Sequence, residues 1–414
     1  MEKKKLLFCG ITMNCAGTEK AFLSLLDEID FDRYDVDLLL AKKEGLLMPL
    51  IPKQVRVIGG MEYGEMFLLS SKNAIPLILR TVLIKAPWMI FPLAPYFFKI
   101  VLVPAKRSFT ATRMWCRILR KFRSFSEEFG IDTEYDAALA FWGDRSMFYM
   151  CDKVKAKKKL AWLHFDYAHP PRDNELYLDY FNRCDYVINV STACHEALVN
   201  TLPQIADKCV MMENIRSPHQ IRELAENGDT FSDTDFDGTR ILSVMRICEQ
   251  KGSDFIAPVL AKLISEGHNV KWYVVGGGDE AAVAELKASA ERAGVADRLV
   301  LLGTTDNPYG YTRDTDIFAL PSRYEGKPIT VEEAKMLCKP IAVTNYLSAE
   351  EQLNSGEYGV IGGEGEEGIY NALKTLLTSP ELCESLEEKL KASDFGNRDE
   401  MNKFYGMIED DRLR

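Results

Sequence analysis

The chain has 414 residues, 47% of them hydrophobic, and a formal net charge of −11. That length and apolar content allow two or three domains with real cores and exclude a disordered protein. Its ten cysteines include no Cys-x-x-Cys pair, which argues against zinc or a disulfide framework and for reduced, mostly buried thiols in a cytosolic protein.

The N-terminus places basic residues before a short apolar run that ends in a Gly-containing turn, so it reads as a first strand, Lys5–Cys9, and not as a signal peptide. A helix follows over Thr18–Ile29, where Ala21, Phe22, Leu25 and Leu26 recur at helical spacing. Tyr34–Leu40, Val55–Ile58, Ala137–Phe141, Lys159–His164 and Tyr186–Val190 read as further strands. Turns and helices between them predict a parallel sheet. Residues 1–220 are therefore expected to form a Rossmann-like domain. The polar stretch Glu226–Gly238 reads as a linker.

One segment interrupts this pattern. From Met66 to Ser126 there is no Asp or Glu, but there are eleven Lys and Arg, leaving 40 basic against 62 acidic residues elsewhere. Within it, the longest uncharged run, Ala86–Phe98, has thirteen residues and three prolines. A spanning helix needs about 20 apolar residues. The insert at 66–123 is thus expected to lie on an anionic membrane surface. Trp88, Tyr96 and Phe97 suit headgroup depth, and a helix over Arg113–Arg123 would face lipid at about 1 kcal/mol per basic residue.

A second βα series starts at Thr239, with strands at Arg240–Val244, Lys271–Val275, Leu299–Leu302, Ile317–Leu320 and Pro340–Val343. Helices are expected at Ser253–Glu266, Glu280–Ala293, Val331–Cys338, Glu366–Leu377 and Pro380–Ala392. Residues 239–395 form the second expected domain. Between the strand ending at Leu320 and the next helix runs Pro321 to Ala334, with Glu325 and Glu333 eight positions apart. One carboxylate sits on the loop leaving a strand and the other on the first helical turn, at the crevice where open α/β sheets bind ligands. The helix start offers free N–H groups to a phosphate. A ligand with a phosphate at one end and hydroxyls for two carboxylates fits, as a nucleotide-sugar does.

The phrase from Glu325 through Gly326, Lys327 and Pro328 to Glu333 resembles the signature of the family-4 retaining glycosyltransferases. The resemblance implies the GT-B fold, two Rossmann-like domains facing a cleft, with a helix at 396–414 packing back on the first. It also implies roles. Glu325, with the backbone of Gly326, Lys327 and Pro328, would face the donor sugar, and Glu333 the ribose hydroxyls. Arg246 and the Lys251-Gly252 pair would hold the diphosphate, Arg as a fork and Lys as a point charge. Ile329 and Thr330 at the helix start, and Gly17 in the first loop, would do so as well. In that loop Ala16 stands where the family usually has the first of two glycines. His164 would reach the reacting centre, catalytic alongside Glu325, with Asp166 a lesser acceptor contact.

The nucleoside end is expected on Gly276 and Gly277, Thr304 and Tyr309. The glycine run also reads as a tight turn, and Tyr309 either stacks on the base or caps the pocket. It is not a Gly-x-Gly-x-x-Gly fingerprint, so no NAD is expected. Asp314-Thr-Asp316 is formally Asp-x-Asp, but Asp316 begins a buried strand, so no metal is expected there, and no cofactor beyond the nucleotide-sugar co-substrate. The expected activity is retaining transfer of a hexose or N-acetylhexosamine, UDP-linked, to a lipid-linked or polysaccharide acceptor in exopolysaccharide or capsule assembly. It would take place at the inner face of a membrane, without nucleic acid. The rivals are a nucleotide-sugar 2-epimerase and a non-catalytic nucleotide-sugar-binding partner of another transferase.

Overall fold

The computed structural model describes residues 3–14, 17–59, 80, 84, 87–103, 107–121 and 133–409. Cys15, Ala16 and much of the basic insert, residues 60–79 included, lie outside the described residues.

Two parallel sheets carry the chain. The first comprises β1 (Lys4–Gly10), β2 (Tyr34–Leu40), β3 (Arg56–Gly59), β4 (Tyr135–Ala140), β5 (Ala156–Leu163), β6 (Tyr186–Asn189) and β7 (Cys209–Met211), in the order 3-2-1-4-5-6-7. The second comprises β8 (Thr239–Val244), β9 (Val270–Val275), β10 (Leu299–Gly303), β11 (Ile317–Leu320), β12 (Ile341–Val343) and β13 (Val360–Ile361), in the order 10-9-8-11-12-13. Every neighbouring pair is parallel. Central strands such as Leu6–Cys9 and Ile317–Leu320 are buried along their length, because helices cover both faces of a parallel sheet. β7 and β13, of three and two residues, are edge strands too short to stand out in the sequence.

The helices are α1 (Gly17–Glu28), α2 (Ile90–Leu102), α3 (Arg107–Lys121), α4 (Asp144–Lys153), α5 (Asn174–Phe181), α6 (Thr192–Thr201), α7 (Pro218–Glu226), α8 (Ser253–Ser265), α9 (Glu280–Arg292), α10 (Tyr309–Asp314), α11 (Ile329–Met336), α12 (Ala349–Gln352), α13 (Gly365–Leu377), α14 (Pro380–Ala392) and α15 (Glu400–Glu409). On α1 the apolar stripe Ala21, Phe22, Leu25 and Leu26 is buried, with Phe22 against Phe8 at a ring separation of 5.0 Å. Met401, Phe404, Met407 and Ile408 of α15 enter the same core as β1 and α1.

Residues 227–238 are not an open linker. Phe231 is buried against Tyr273 and Tyr311, and Asp233 pairs with Lys271 at 2.7 Å. Two aromatics, Phe231 and Phe236, pull an otherwise polar stretch onto the edge of the second domain.

The basic insert also departs from expectation. On α3, Met114, Trp115, Cys116 and Ile118 join the first core. Arg113 pairs with Asp173 and, at 2.7 Å, with Glu175. Arg120 lies 3.3 Å from both Asp152 and Asp179. These two arginines therefore anchor α3 to its own domain instead of facing lipid. The apolar surface is on and beside α2, where Trp88, Phe91, Phe98 and Leu102 are each at least two-thirds exposed, while Tyr96 and Phe97 lean on the core. No helix among the described residues is long and apolar enough to cross a membrane. The nine described cysteines are free thiols, five of them buried.

Candidate functional site

In each sheet the strand order reverses at the middle, between β1 and β4 and between β8 and β11. Loops leaving the carboxyl ends at such a point form a ligand crevice. Here the two crevices meet. Gly17, opening α1, lies against Ile329, opening α11; a β-carbon on Gly17 would stand 3.8 Å from the Ile329 side chain.

Glu325 is 7% exposed, on the loop after β11. It pairs with Lys251 and accepts the Ser322 hydroxyl at 2.7 Å. The turn makes the pairing possible. Gly252 has φ +66°, and a β-carbon there would sit 2.0 Å from the Pro321 carbonyl oxygen, so only glycine lets Lys251 pass beneath the Glu325 loop. Arg246, at the exit of β8, is exposed and forms no ion pair among the described residues. One cation is thus already engaged by the Glu325 carboxylate and the other is available to an anion.

The glycine run after β9 has a structural task. Gly276 has φ +142°, and its β-carbon would meet the Met245 carbonyl oxygen at 1.9 Å. Met245 N–H donates to Val275 and Ile247 N–H to Gly277. Gly276 and Gly277 therefore brace the segment that carries Arg246. Thr304, exposed, packs beside Gly277.

Glu333, on α11, is buried, and its Oε1 accepts the Tyr309 hydroxyl at 2.7 Å. Tyr309 thus turns its hydroxyl to the carboxylate. Lys20 of α1 reaches the same oxygen from the first domain at 3.7 Å. The start of α11 has Pro328 at its N-cap and no side-chain cap, so the N–H groups of its first turn, at Ile329 and Thr330, carry the positive end of the helix dipole toward the cleft. Gln352 fixes this turn by donating to the Pro328 carbonyl at 2.8 Å.

His164 leaves the end of β5, its ring packed on Phe141 at 4.5 Å and Trp162 at 5.9 Å. Its Nε2 is buried with no partner among the described residues. Burial lowers the imidazole pKa to about 3, so it is neutral at ordinary pH and offers a hydrogen bond, not a charge. Gly326 sits directly against its backbone, and the Gly326 carbonyl accepts the Ser191 hydroxyl at 3.3 Å.

Glu19, in the first turn of α1, is a cleft residue that the sequence pattern does not single out. Burial pushes its carboxyl up to about 7, against the pull of the Arg246 charge from the second domain. A second unanticipated feature is a buried charge network at the hinge. Lys327 pairs with Glu213 and with Glu351 at 3.3 Å, so its side chain clasps the domains together and is itself engaged. Glu332 binds Arg216 at 3.3 Å and Lys335 at 3.1 Å. Burial alone would raise the Glu332 carboxyl, but these cations hold it below the usual carboxylate range. These six charged groups come from three separate stretches of the chain and leave no motif to find.

Other acidic candidates hold local structure. Asp166 accepts from the Ala168 N–H at 2.8 Å and contacts His169 Nδ1 at 2.9 Å. Asp316 accepts the Arg240 N–H at 2.7 Å, and Asp314 pairs with Arg313 at 2.7 Å. Among the described residues no three His, Cys, Asp or Glu side chains group to hold a metal ion.

Residues 231–393 match the family model of glycosyl transferases group 1. A Campylobacter jejuni protein, N-acetylgalactosamine-N,N'-diacetylbacillosaminyl-diphospho-undecaprenol 4-alpha-N-acetylgalactosaminyltransferase, is 24% identical over 213 residues, covering 51% of this chain and 56% of the relative. The chain spans about half the length of the curated relatives it matches. Among solved structures, Anabaena HepE in complex with UDP and glucose superposes with a TM-score of 0.66 at 16% identity, covering 97% of this chain and 98% of its own. A mutant of S. aureus TarM bound to fondaparinux, alpha-GlcNAc-glycerol and UDP gives 0.67 at 10% identity, covering 99% and 100%. At such identities the likeness is one of fold, and that fold is GT-B. The chain therefore has the GT-B fold, and its second domain, through residues 231–393, matches the glycosyl transferases group 1 family model.

Proposed function

We propose that the protein is a retaining glycosyltransferase that moves a hexose or N-acetylhexosamine from a UDP-sugar to a lipid-linked glycan at a membrane surface. The observation that carries this reading is the pairing of Lys251 with Glu325 beside the unpaired Arg246 and the uncapped start of α11. This is a site with fixed positive charge next to a sugar-side carboxylate.

In the proposed reaction the bond between sugar C1 and the diphosphate oxygen breaks, and the acceptor oxygen bonds to C1 on the same face. The acceptor's proton passes to the leaving phosphate. Arg246, Lys251 and the N–H groups at Ile329 and Thr330 stabilise the negative charge on that phosphate. His164, neutral and lacking a partner among the described residues, donates or accepts at the reacting sugar. Glu325 holds sugar hydroxyls and Glu333 the ribose. Cations of the chain supply the charge, so no metal enters the scheme.

UDP in the HepE and TarM complexes supports the donor base, and the undecaprenol-linked substrate in the Campylobacter transferase's name supports a lipid-linked acceptor. The exposed apolar residues on and beside α2 support attachment to a bilayer interface.

The test is nucleoside diphosphate release from UDP-, GDP- and ADP-sugars with membrane lipid extract, wild type against Glu325→Ala. Release with a UDP-sugar, dependent on lipid and lost in the variant, is expected. Donor binding without release under any acceptor would favour a non-catalytic partner. Absence of both binding and release would overturn the reading.

A further inference from the structure

Lys20 belongs to the first domain but completes a cluster in the second. It stands on the first turn of α1, 12% exposed at its side chain, against Glu333 at 5%. Its ammonium donates to the Tyr309 hydroxyl at 3.3 Å and lies 4.4 Å from the centre of that ring. The Tyr309 hydroxyl in turn donates to Glu333 Oε1. Both Lys20 and Tyr309 thus converge on one carboxylate oxygen. A cavity of about 420 Å³ opens against all three residues and runs back between α1, α7 and α11.

An ionised carboxylate accepts through two oxygens and donates through neither. With Oε1 held from both domains, Oε2 is the oxygen left for a ligand's hydroxyls. A vicinal diol is the ligand chemistry that such an oriented acceptor selects. We propose that Lys20 is a positioning residue for ribose recognition, supplied across the cleft. With Tyr309 it orients Glu333, so that the nucleoside site is complete only when α1 and α11 are brought together. This rests on the reading of Glu333 as the ribose acceptor.

The experiment measures binding of UDP, GDP and ADP, each against its 2′-deoxy form, to the full chain by calorimetry, following the tightest pair. Wild type, Lys20→Met, Lys20→Arg and Glu333→Gln are compared. Lys20→Met is expected to weaken the ribonucleotide about tenfold and the deoxynucleotide far less, so that ribose preference falls, while Lys20→Arg keeps most of it. A role confined to stability would weaken both nucleotides alike and leave the preference intact. Glu333→Gln separates the two claims. If it abolishes ribose preference while Lys20→Met leaves it unchanged or tightens binding, Lys20 is a bystander or a competitor and the proposal fails alone. If Glu333→Gln retains the preference, or no nucleotide binds, the ribose reading fails with it.

Discussion

Gly326 of the second domain lies so close to His164 of the first that a β-carbon on it would stand 2.8 Å from the His164 carbonyl oxygen and 3.0 Å from the Phe165 Cα. Both neighbours are backbone at the end of a buried strand, so neither can yield by a rotamer change. Gly326 is therefore where the loop after β11 docks on the end of β5. Gly326→Ala is expected to force the domains apart locally. The cost should appear in turnover, with kcat/KM falling by about 10²-fold for a displacement near 1 Å, while thermal stability changes little. Steady-state kinetics alongside a melting curve check this.

Lys251 and Glu325 depend on each other. Lys251→Met leaves Glu325 buried with the Ser322 hydroxyl as its remaining partner. The loss in stability should approach about 3 kcal/mol, and diphosphate release should fall by about 10²-fold through loss of a charge at the leaving group. Adding Glu325→Gln should recover most of the stability and none of the activity. Denaturant unfolding of the single and double variants measures the first effect and product release the second.

Glu19 carries a pH signature. Folded, its carboxyl is pushed up to about 7 by burial; unfolded, it releases its proton near 4.3. Between these values the folded state binds more protons, so stability falls as pH rises through the window and levels off above it. Glu19→Gln removes this dependence. The variant should match wild type near pH 4.5 and exceed it by about 2–3 kcal/mol at most at pH 8. Urea unfolding at the two pH values decides.

The exposed face on and beside α2 gives a separable prediction for membrane attachment. Phe91 is 84% and Phe98 67% exposed. Each contributes up to about 1.5–3 kcal/mol when fully buried in an apolar phase, so Phe91→Ser with Phe98→Ser should weaken binding to anionic vesicles by about 10²-fold. Arg113→Gln should instead lower stability, because Arg113 is engaged by Asp173 and Glu175. Vesicle co-sedimentation at low and high salt reads the first effect and denaturant unfolding the second. Unchanged binding of the double variant would place attachment elsewhere.

Much of the site was legible because its signals are local. The strand ending at Leu320, the turn through Gly326 and the helix holding Glu333 lie within one short stretch, and the longer sheet strands announce themselves by a run of apolar residues. Arg246 and Lys251 follow directly from the exit of β8. What failed to show was coupling over distance. Phe231 in an acidic stretch looks like linker until Tyr273 is placed beside it. Two arginines of α3, Arg113 and Arg120, look like part of a lipid-facing row until Asp173 and Asp152 are brought opposite.

The sequence by itself determined the βα order, the two-domain plan and the residues at the switch points, since apolar periodicity and turn chemistry act between near neighbours. Only the tertiary structure decided how those residues are paired. Lys20 and Tyr309 are 289 positions apart, and Lys327 finds Glu213 across the hinge. Such contacts arise from two separately folded sheets closing on each other, and closure writes no pattern into either segment.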